Sequence, residues 1–193
     1  RMALSDRIFT PEPAREWRAG RLLELRGVPV PPALACIEPA GPRPAAVVFG
    51  FLEHAVTVED YVRACCARND LDAARGMLGR IAEGVAALSA AGAYHRDLSG
   101  KNLLTHNGAS CLFVDLGGVS FGKAYTPRRR LKNHVQLYDS FCDLLPPGMM
   151  AGFVQSLLPA GMPAGSWLEA VRRGQQVRRE RLGHITLATP VAH

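Results

Sequence analysis

The chain has 193 residues, of which 48% are apolar and 21% charged, and a formal net charge of +6. That length predicts one domain or slightly more, and the composition excludes a globally disordered chain. The longest apolar runs, Ala45 to Leu52 among them, fall far short of the roughly 20 residues that cross a bilayer. Arg1-Met2-Ala3-Leu4 leads straight into polar residues, so no signal peptide is expected.

Pro11 and Pro13 mark the start of a first helix, with Glu12 and Glu16 at the favourable positive end of its dipole. Trp17, Leu22, Leu23 and Leu25 give it an apolar side, and Gly27 closes it. Val28-Pro29-Val30-Pro31-Pro32 lacks the amides a helix interior needs and reads as an extended connector. Ala33 to Ile37 and Ala45 to Phe51 read as two strands, antiparallel because Gly41-Pro42-Arg43-Pro44 turns between them. Thr57 opens a short helix with Glu59 and Asp60 in its first turn. Asp70 starts a longer one, in which Leu71, Ala74, Leu78, Ile81, Val85 and Leu88 form one apolar stripe that Gly92 ends. Leu103-Leu104 and Cys111 to Val114 flank the turn His106-Asn107-Gly108 and predict a β-hairpin. Leu131, Val135, Tyr138, Phe141 and Leu145 repeat at helical spacing until Pro146-Pro147-Gly148 stops them. Helices are expected at 149–158 and 166–182, then a loose tail over Gly183 to His193.

Five cysteines without a C-x-x-C pair fit reduced thiols in a cytoplasmic protein better than a disulfide framework or a zinc site. The charge is localised. Residues 1–120 carry 13 Lys+Arg and 13 Asp+Glu, whereas residues 121–193 carry 10 and 4, so the whole excess sits in the last third. Such asymmetry predicts an anionic partner.

The stretch that carries chemistry is Tyr94-His95-Arg96-Asp97-Leu98-Ser99-Gly100-Lys101-Asn102-Leu103-Leu104, which matches the kinase catalytic-loop pattern H-R-D-L-x-x-x-N. Thirteen residues past Asn102 comes Asp115, in Phe113-Val114-Asp115-Leu116-Gly117, a strand followed by Asp-x-Gly. Singly, Asp97 reads as a turn residue, His95 as a packed histidine and Asp115 as a strand end. Together, at this spacing and after a long amphipathic helix, they point to phosphoryl transfer. That chemistry needs an aligned hydroxyl and neutralised phosphoryl charge. Asp97 suits acceptance of the hydroxyl proton. Asn102 and Asp115 suit Mg²⁺, a hard cation that takes oxygen ligands and holds the phosphates of ATP. Lys101 suits charge stabilisation near the γ-phosphoryl group, while His95 and Arg96 brace the loop.

The chain resembles the bacterial lipopolysaccharide kinases that phosphorylate Kdo or heptose of the inner core, an InaA-like group with a protein-kinase-like fold. The resemblance runs from Ala14 to Leu145. It rests on Arg15-Glu16-Trp17, Gly27-Val28-Pro29-Val30-Pro31, Tyr94 through Asn102, Val114-Asp115-Leu116 and Leu131-Lys132-Asn133. It implies an α+β fold, with an incomplete small β-containing N-lobe over 1–52 and a mostly helical C-lobe over 53–193. It implies that Glu16 is the helix glutamate that pairs with a strand lysine holding the nucleotide's α/β-phosphates, and that Phe51-Leu52-Glu53 is the hinge beside the adenine. As a bare residue, a glutamate in a first helical turn needs no such role. The family's glycine-rich loop and strand lysine do not occur here, the only lysines being Lys101, Lys123 and Lys132. The expectation is a chain that lacks about three strands of the small lobe, either as a piece of a longer protein or as a short one with weak turnover.

Arg128-Arg129-Arg130, beside Lys123 and Lys132, borders the acceptor site of such a fold and suits phosphate or carboxylate. The reading expects contact there with an anionic glycolipid acceptor or the inner face of the cytoplasmic membrane, and so a cytoplasmic, peripheral protein. Arg172, Arg173, Arg178, Arg179 and Arg181 fit either an interfacial helix or a solvated basic face on a core-packed helix. Nucleic acid is not expected, since no aromatics interleave the arginines as a stacking platform. Two alternatives stand beside the lipopolysaccharide reading. A small-molecule or antibiotic kinase predicts an acidic acceptor site, and a pseudokinase binding module has no need of Asp97, Asn102 and Asp115 together.

Overall fold

The computed structural model of the chain describes residues 12–38, 45–122, 126–159 and 161–183. The turn at 41–44, Lys123 and residues 184–193 of the expected tail lie outside them.

The architecture is α+β, with six helices and three small antiparallel sheets among the described residues. Helix α1 (Glu12–Leu25) leads through the proline connector into β1 (Ala33–Ile37), which pairs antiparallel with β2 (Ala46–Phe49) as expected, Ile37 standing opposite Ala46. The second strand is shorter than predicted, and Phe51 beyond it is 90% exposed. The buried side of α1 also differs. It is Ala14, Ala19, Gly20 and Leu23, whereas Trp17 and Leu22 are half-buried and Leu25 is exposed. Small residues are inside because α1 lies directly on the two strands and on the turn after Asp115. A Cβ on Gly20 would stand 3.0 Å from the Phe49 ring and 3.4 Å from Leu116.

β3 (Val56–Thr57) precedes α2 (Val58–Ala67), whose cap is Thr57; its side chain accepts from the Asp60 amide at 3.1 Å. Asp70 caps α3 (Leu71–Ala90) in the same way through the Ala73 amide at 3.0 Å. The α3 stripe is buried as expected at Ala74, Leu78, Ile81, Val85 and Leu88, with Met77 added. These side chains form the main core with Leu98, Leu103, Phe113, Leu116, Leu137 and Phe141. β4 (Ala93–His95), β5 (Leu103–Thr105), β6 (Leu112–Phe113) and β7 (Val119–Phe121) follow. β5 and β6 are the predicted hairpin, and β3 adds to its outer side. The pairing of β4 with β7 was not expected. It clamps both ends of the segment that carries the two motifs.

Helix α4 (Pro127–Phe141) buries Asn133, His134, Val135, Gln136, Leu137 and Phe141, leaving Leu131 and Tyr138 half-buried, so the predicted stripe is rotated toward polar residues. Leu145 lies beyond its end. Pro147 does more than stop a helix; it is the first residue of α5 (Pro147–Ser156). The last helix, α6 (Ala164–Leu182), packs Trp167 and Val171 against Val135 and Val154 in a second cluster. All five cysteines are free thiols. Among the described residues no helix is long and apolar enough to cross a membrane.

His134 sits in that second cluster and accepts a hydrogen bond at Nδ1 from Trp167 Nε1 at 3.1 Å. Burial, assisted by the Arg130 charge, pushes its imidazole down to about 4 from an ordinary 6.5. The unfolded chain therefore takes up a proton that the folded chain refuses, and stability is expected to fall as pH drops from about 6.5 towards 4. Melting temperatures of wild type and His134→Gln across that window check this. The glutamine variant, which does not titrate, should show the shallower decline; parallel declines would contradict it.

Candidate active site

The two sequence motifs meet through backbone hydrogen bonds. The Val114 amide donates to the Asn102 carbonyl at 3.1 Å, and His95 Nε2 bonds the Val114 carbonyl at 2.9 Å. His95 is 1% exposed. Burial holds its imidazole below the usual range, against the opposing pull of the Val114 carbonyl and of Asp115 and Asp97. A neutral imidazole with its proton on Nε2 ties the loop to the strand, which is the bracing role expected of it.

Asp97 and Asn102 are paired. Asn102 Nδ2 donates to the Asp97 carbonyl at 2.9 Å and to its Oδ2 at 3.2 Å. With its nitrogen so engaged, Asn102 has its amide oxygen left over, the type of atom a hard cation takes. Lys101 is exposed on the short 3₁₀ turn Gly100–Asn102. Gly100 is required there: a Cβ would stand 2.9 Å from the Phe141 ring and 3.2 Å from Glu59 Cβ. Asp115 has φ 55°, ψ 55°, the left-handed conformation that Asp tolerates better than most residues. It turns the chain out of β6 and leaves its carboxylate exposed.

Glu16, Phe51, Leu52 and Asp115 line one cavity of about 410 Å³, together with Phe49 and Leu116. Burial raises the Glu16 carboxyl above its ordinary range, and the nearby Asp115 and Glu12 charges raise it further, against a backbone hydrogen bond at Leu116. Asp115 and Asn102 supply oxygen atoms of the type Mg²⁺ takes, although among the described residues no three His, Cys, Asp or Glu side chains group as a ready-made metal site. Glu53 does not join them. It pairs with His54 at 3.3 Å on the surface and is outside the lining of that cavity.

The residues that hold the loop in place have no role assigned from the sequence, where Asn133 figures only within Leu131-Lys132-Asn133. One face of α4 presents Asn133, Gln136 and Ser140, three and four apart. Asn133 Nδ2 donates to the His95 carbonyl at 2.6 Å, and Gln136 Nε2 donates to the Arg96 carbonyl at 2.9 Å. Gln136 Oε1 accepts from the Leu98 amide at 3.2 Å, and Ser140 Oγ accepts from the Gly100 amide at 2.9 Å. Gln136 Nε2 also lies 3.4 Å from Asp97 Oδ1. The available signal was polar residues placed among Val135, Leu137 and Phe141 on a helix that has to be buried.

A second cleft, of about 1000 Å³, adjoins the loop on the α4 side. Arg96, Arg128 and Arg129 line it, and Arg129 lies over the Tyr94 ring at 4.9 Å. Arg130 is half-buried and is outside this lining. The arginines of α6 divide. Arg178 and Arg179 bond Asp139 at 3.1 and 2.6 Å, and Arg179 also bonds Asp143 at 2.6 Å.

The family model for the lipopolysaccharide kinase (Kdo/WaaP) family matches residues 3–152, more than half of the chain. Among curated proteins none matches it.

Proposed function

The chain belongs to the lipopolysaccharide kinase (Kdo/WaaP) family, and from that premise we propose that it transfers the γ-phosphoryl group of ATP to a hydroxyl of Kdo or heptose in the inner core, on a protein-kinase-like fold. The family's members are kinases, phosphotransferases that act on sugar hydroxyls. The observation that carries the finer reading is the Asp97–Asn102 pair, bonded through Val114 to the segment that leads from β6 into Asp115.

In this reading Asp97 aligns the acceptor hydroxyl and takes its proton as the bond to phosphorus forms. Gln136 and the Asn102 amide fix the carboxylate so that one oxygen faces the acceptor. Asn102 and Asp115 would hold Mg²⁺, which would supply charge neutralisation at the nucleotide phosphates. Lys101 supplies a mobile cation beside the transferring group. Phe51 and Leu52 face the adenine across the cavity that Glu16 and Asp115 close, and Glu53 belongs to the same hinge by resemblance alone. Residues 1–52 thus serve the nucleotide and 53–193 the catalytic loop and acceptor. Arg128 and Arg129 face an anionic glycolipid acceptor at the inner surface of the cytoplasmic membrane, and Arg130, outside the cleft lining, belongs with them by its place in the triplet alone. The cationic lining of the larger cleft supports this acceptor class over the cationic small molecules that an acidic site would take.

Incubation with γ-labelled ATP, Mg²⁺ and inner-core glycolipid tests the reading. Label is expected in the glycolipid, and excess EDTA should abolish it. Labelling that persists at full rate in EDTA would overturn the metal-ligand assignment, and no labelling in any condition would overturn the transfer itself.

A further inference from the structure

The larger cleft has two walls. One is the first half of α4, with Arg128 and Lys132; the other is the last half of α6, with Arg181. Arg96 of the catalytic loop stands at its end. No carboxylate lines it among the described residues. Where acids are near, they are already engaged: Asp139 and Asp143 hold Arg178 and Arg179, so although Arg178 also lines the cleft its charge is offset there, and the uncompensated charge of α6 in the lining is at Arg181. The walls are held close by Gly174, where a Cβ would stand 2.6 Å from Val135 Cγ2. The cleft also leads to the reaction. Gln136 lines it and reaches the Arg96 carbonyl and Asp97 Oδ1. α6 lies beyond residue 152 and so outside the region that the family model matches.

We propose that this cleft binds a phosphate monoester that the acceptor already carries, so that the enzyme selects a sugar with an anionic neighbour over a neutral one. The inference rests on the kinase reading and deepens it. A monoester carries nearly two charges at neutral pH and three acceptor oxygens. Converging guanidinium groups match that demand, and a single lysine does not. A bilayer surface is a poorer match, because the cations line the walls of a concavity that a flat headgroup layer does not enter. Arg128, Lys132 and Arg181 are thus specificity residues. They hold the acceptor by a group other than the one that reacts, and Gln136 connects that hold to the base.

Binding is measured without nucleotide, by calorimetry on the full chain, with inner-core glycolipid in detergent micelles and with the same glycolipid after phosphatase treatment. The wild type should bind the phosphorylated form about tenfold tighter, the value of one charge-assisted contact. Arg181→Ala should remove that preference and Arg181→Lys should keep part of it. Arg181 is exposed, so all three proteins should melt alike, and KM for ATP should not move. Equal affinity for the two glycolipids would overturn the proposal. So would a loss in Arg181→Ala that is the same for both forms and for anionic vesicles, which is the behaviour of a membrane patch. A protein that distinguishes the two forms but transfers no label refutes the kinase reading and leaves the cleft standing. One that labels both forms with equal kcat/KM refutes the cleft alone.

Discussion

Asp97→Asn is expected to lower kcat for phosphoryl transfer by about 10²–10⁴-fold, the range that a positioned general base supplies. The substitution is close to isosteric and gives up one side-chain bond, that from Asn102 Nδ2 to Oδ2, since an amide has a single acceptor oxygen. Asn102 Nδ2 still meets the residue 97 carbonyl, and an amide oxygen at position 97 still accepts from Gln136. What is lost is the group that takes the hydroxyl proton. Nucleotide affinity should change little, because the cavity lined by Glu16, Leu52 and Asp115 does not include Asp97. Steady-state kinetics on wild type and variant, with circular dichroism melts as a folding control, check this. Equal rates from two equally folded proteins would remove Asp97 from the chemistry.

The largest effect on stability is expected from Phe113→Ala, at about 3–5 kcal/mol. Phe113 is fully buried. Its ring packs so tightly on α3 that a Cβ at Gly84 would stand 2.8 Å from it, and its amide donates to the Pro29 carbonyl at 2.9 Å. It pairs with Leu103 across the hairpin, one residue beyond Asn102, and it precedes Asp115 by two. The cavity left by alanine therefore opens under both metal-ligand candidates. Against a typical stability of about 5–15 kcal/mol the loss is a large share. Urea denaturation should show a lowered midpoint with an unchanged slope. Phe51→Ala, at a 90% exposed position, should change the stability by less than about 0.5 kcal/mol. Equal midpoints for Phe113→Ala and wild type would contradict the packing described.

Local signals carried most of what was legible in the sequence. Thr57 and Asp70 cap their helices through their own side chains, and the apolar period of α3 is its buried face. His106-Asn107-Gly108 turns the hairpin with Asn107 and Gly108 at φ 50° and 74°. The catalytic-loop pattern was legible because its roles depend on fixed spacing along the chain. Features that depend on distant partners were not. β4 pairs with a strand that begins 24 residues after its own end, and three-residue strands have no period to read. Asn133 and Gln136 are buried because their partners are loop carbonyls 38 and 40 residues away. The small residues of α1 face inward because of strands that follow it. The arginines of α6 looked alike in the sequence, yet Asp139 and Asp143, on and just beyond α4, engage two of them and leave Arg181 to the cleft. The basic excess of the last third is therefore part packing and part site.

On this reading the chain places a phosphoryl group on a sugar hydroxyl. That transfer is tested most directly by the structure of the product. Inner-core glycolipid treated with the protein, ATP and Mg²⁺ is purified and examined by phosphorus–proton correlation NMR. One new phosphomonoester is expected, coupled to a carbinol proton of Kdo or heptose and absent when Asp97→Asn replaces the wild type. A phosphorus signal confined to inorganic phosphate, or attached to the protein rather than the sugar, would contradict it.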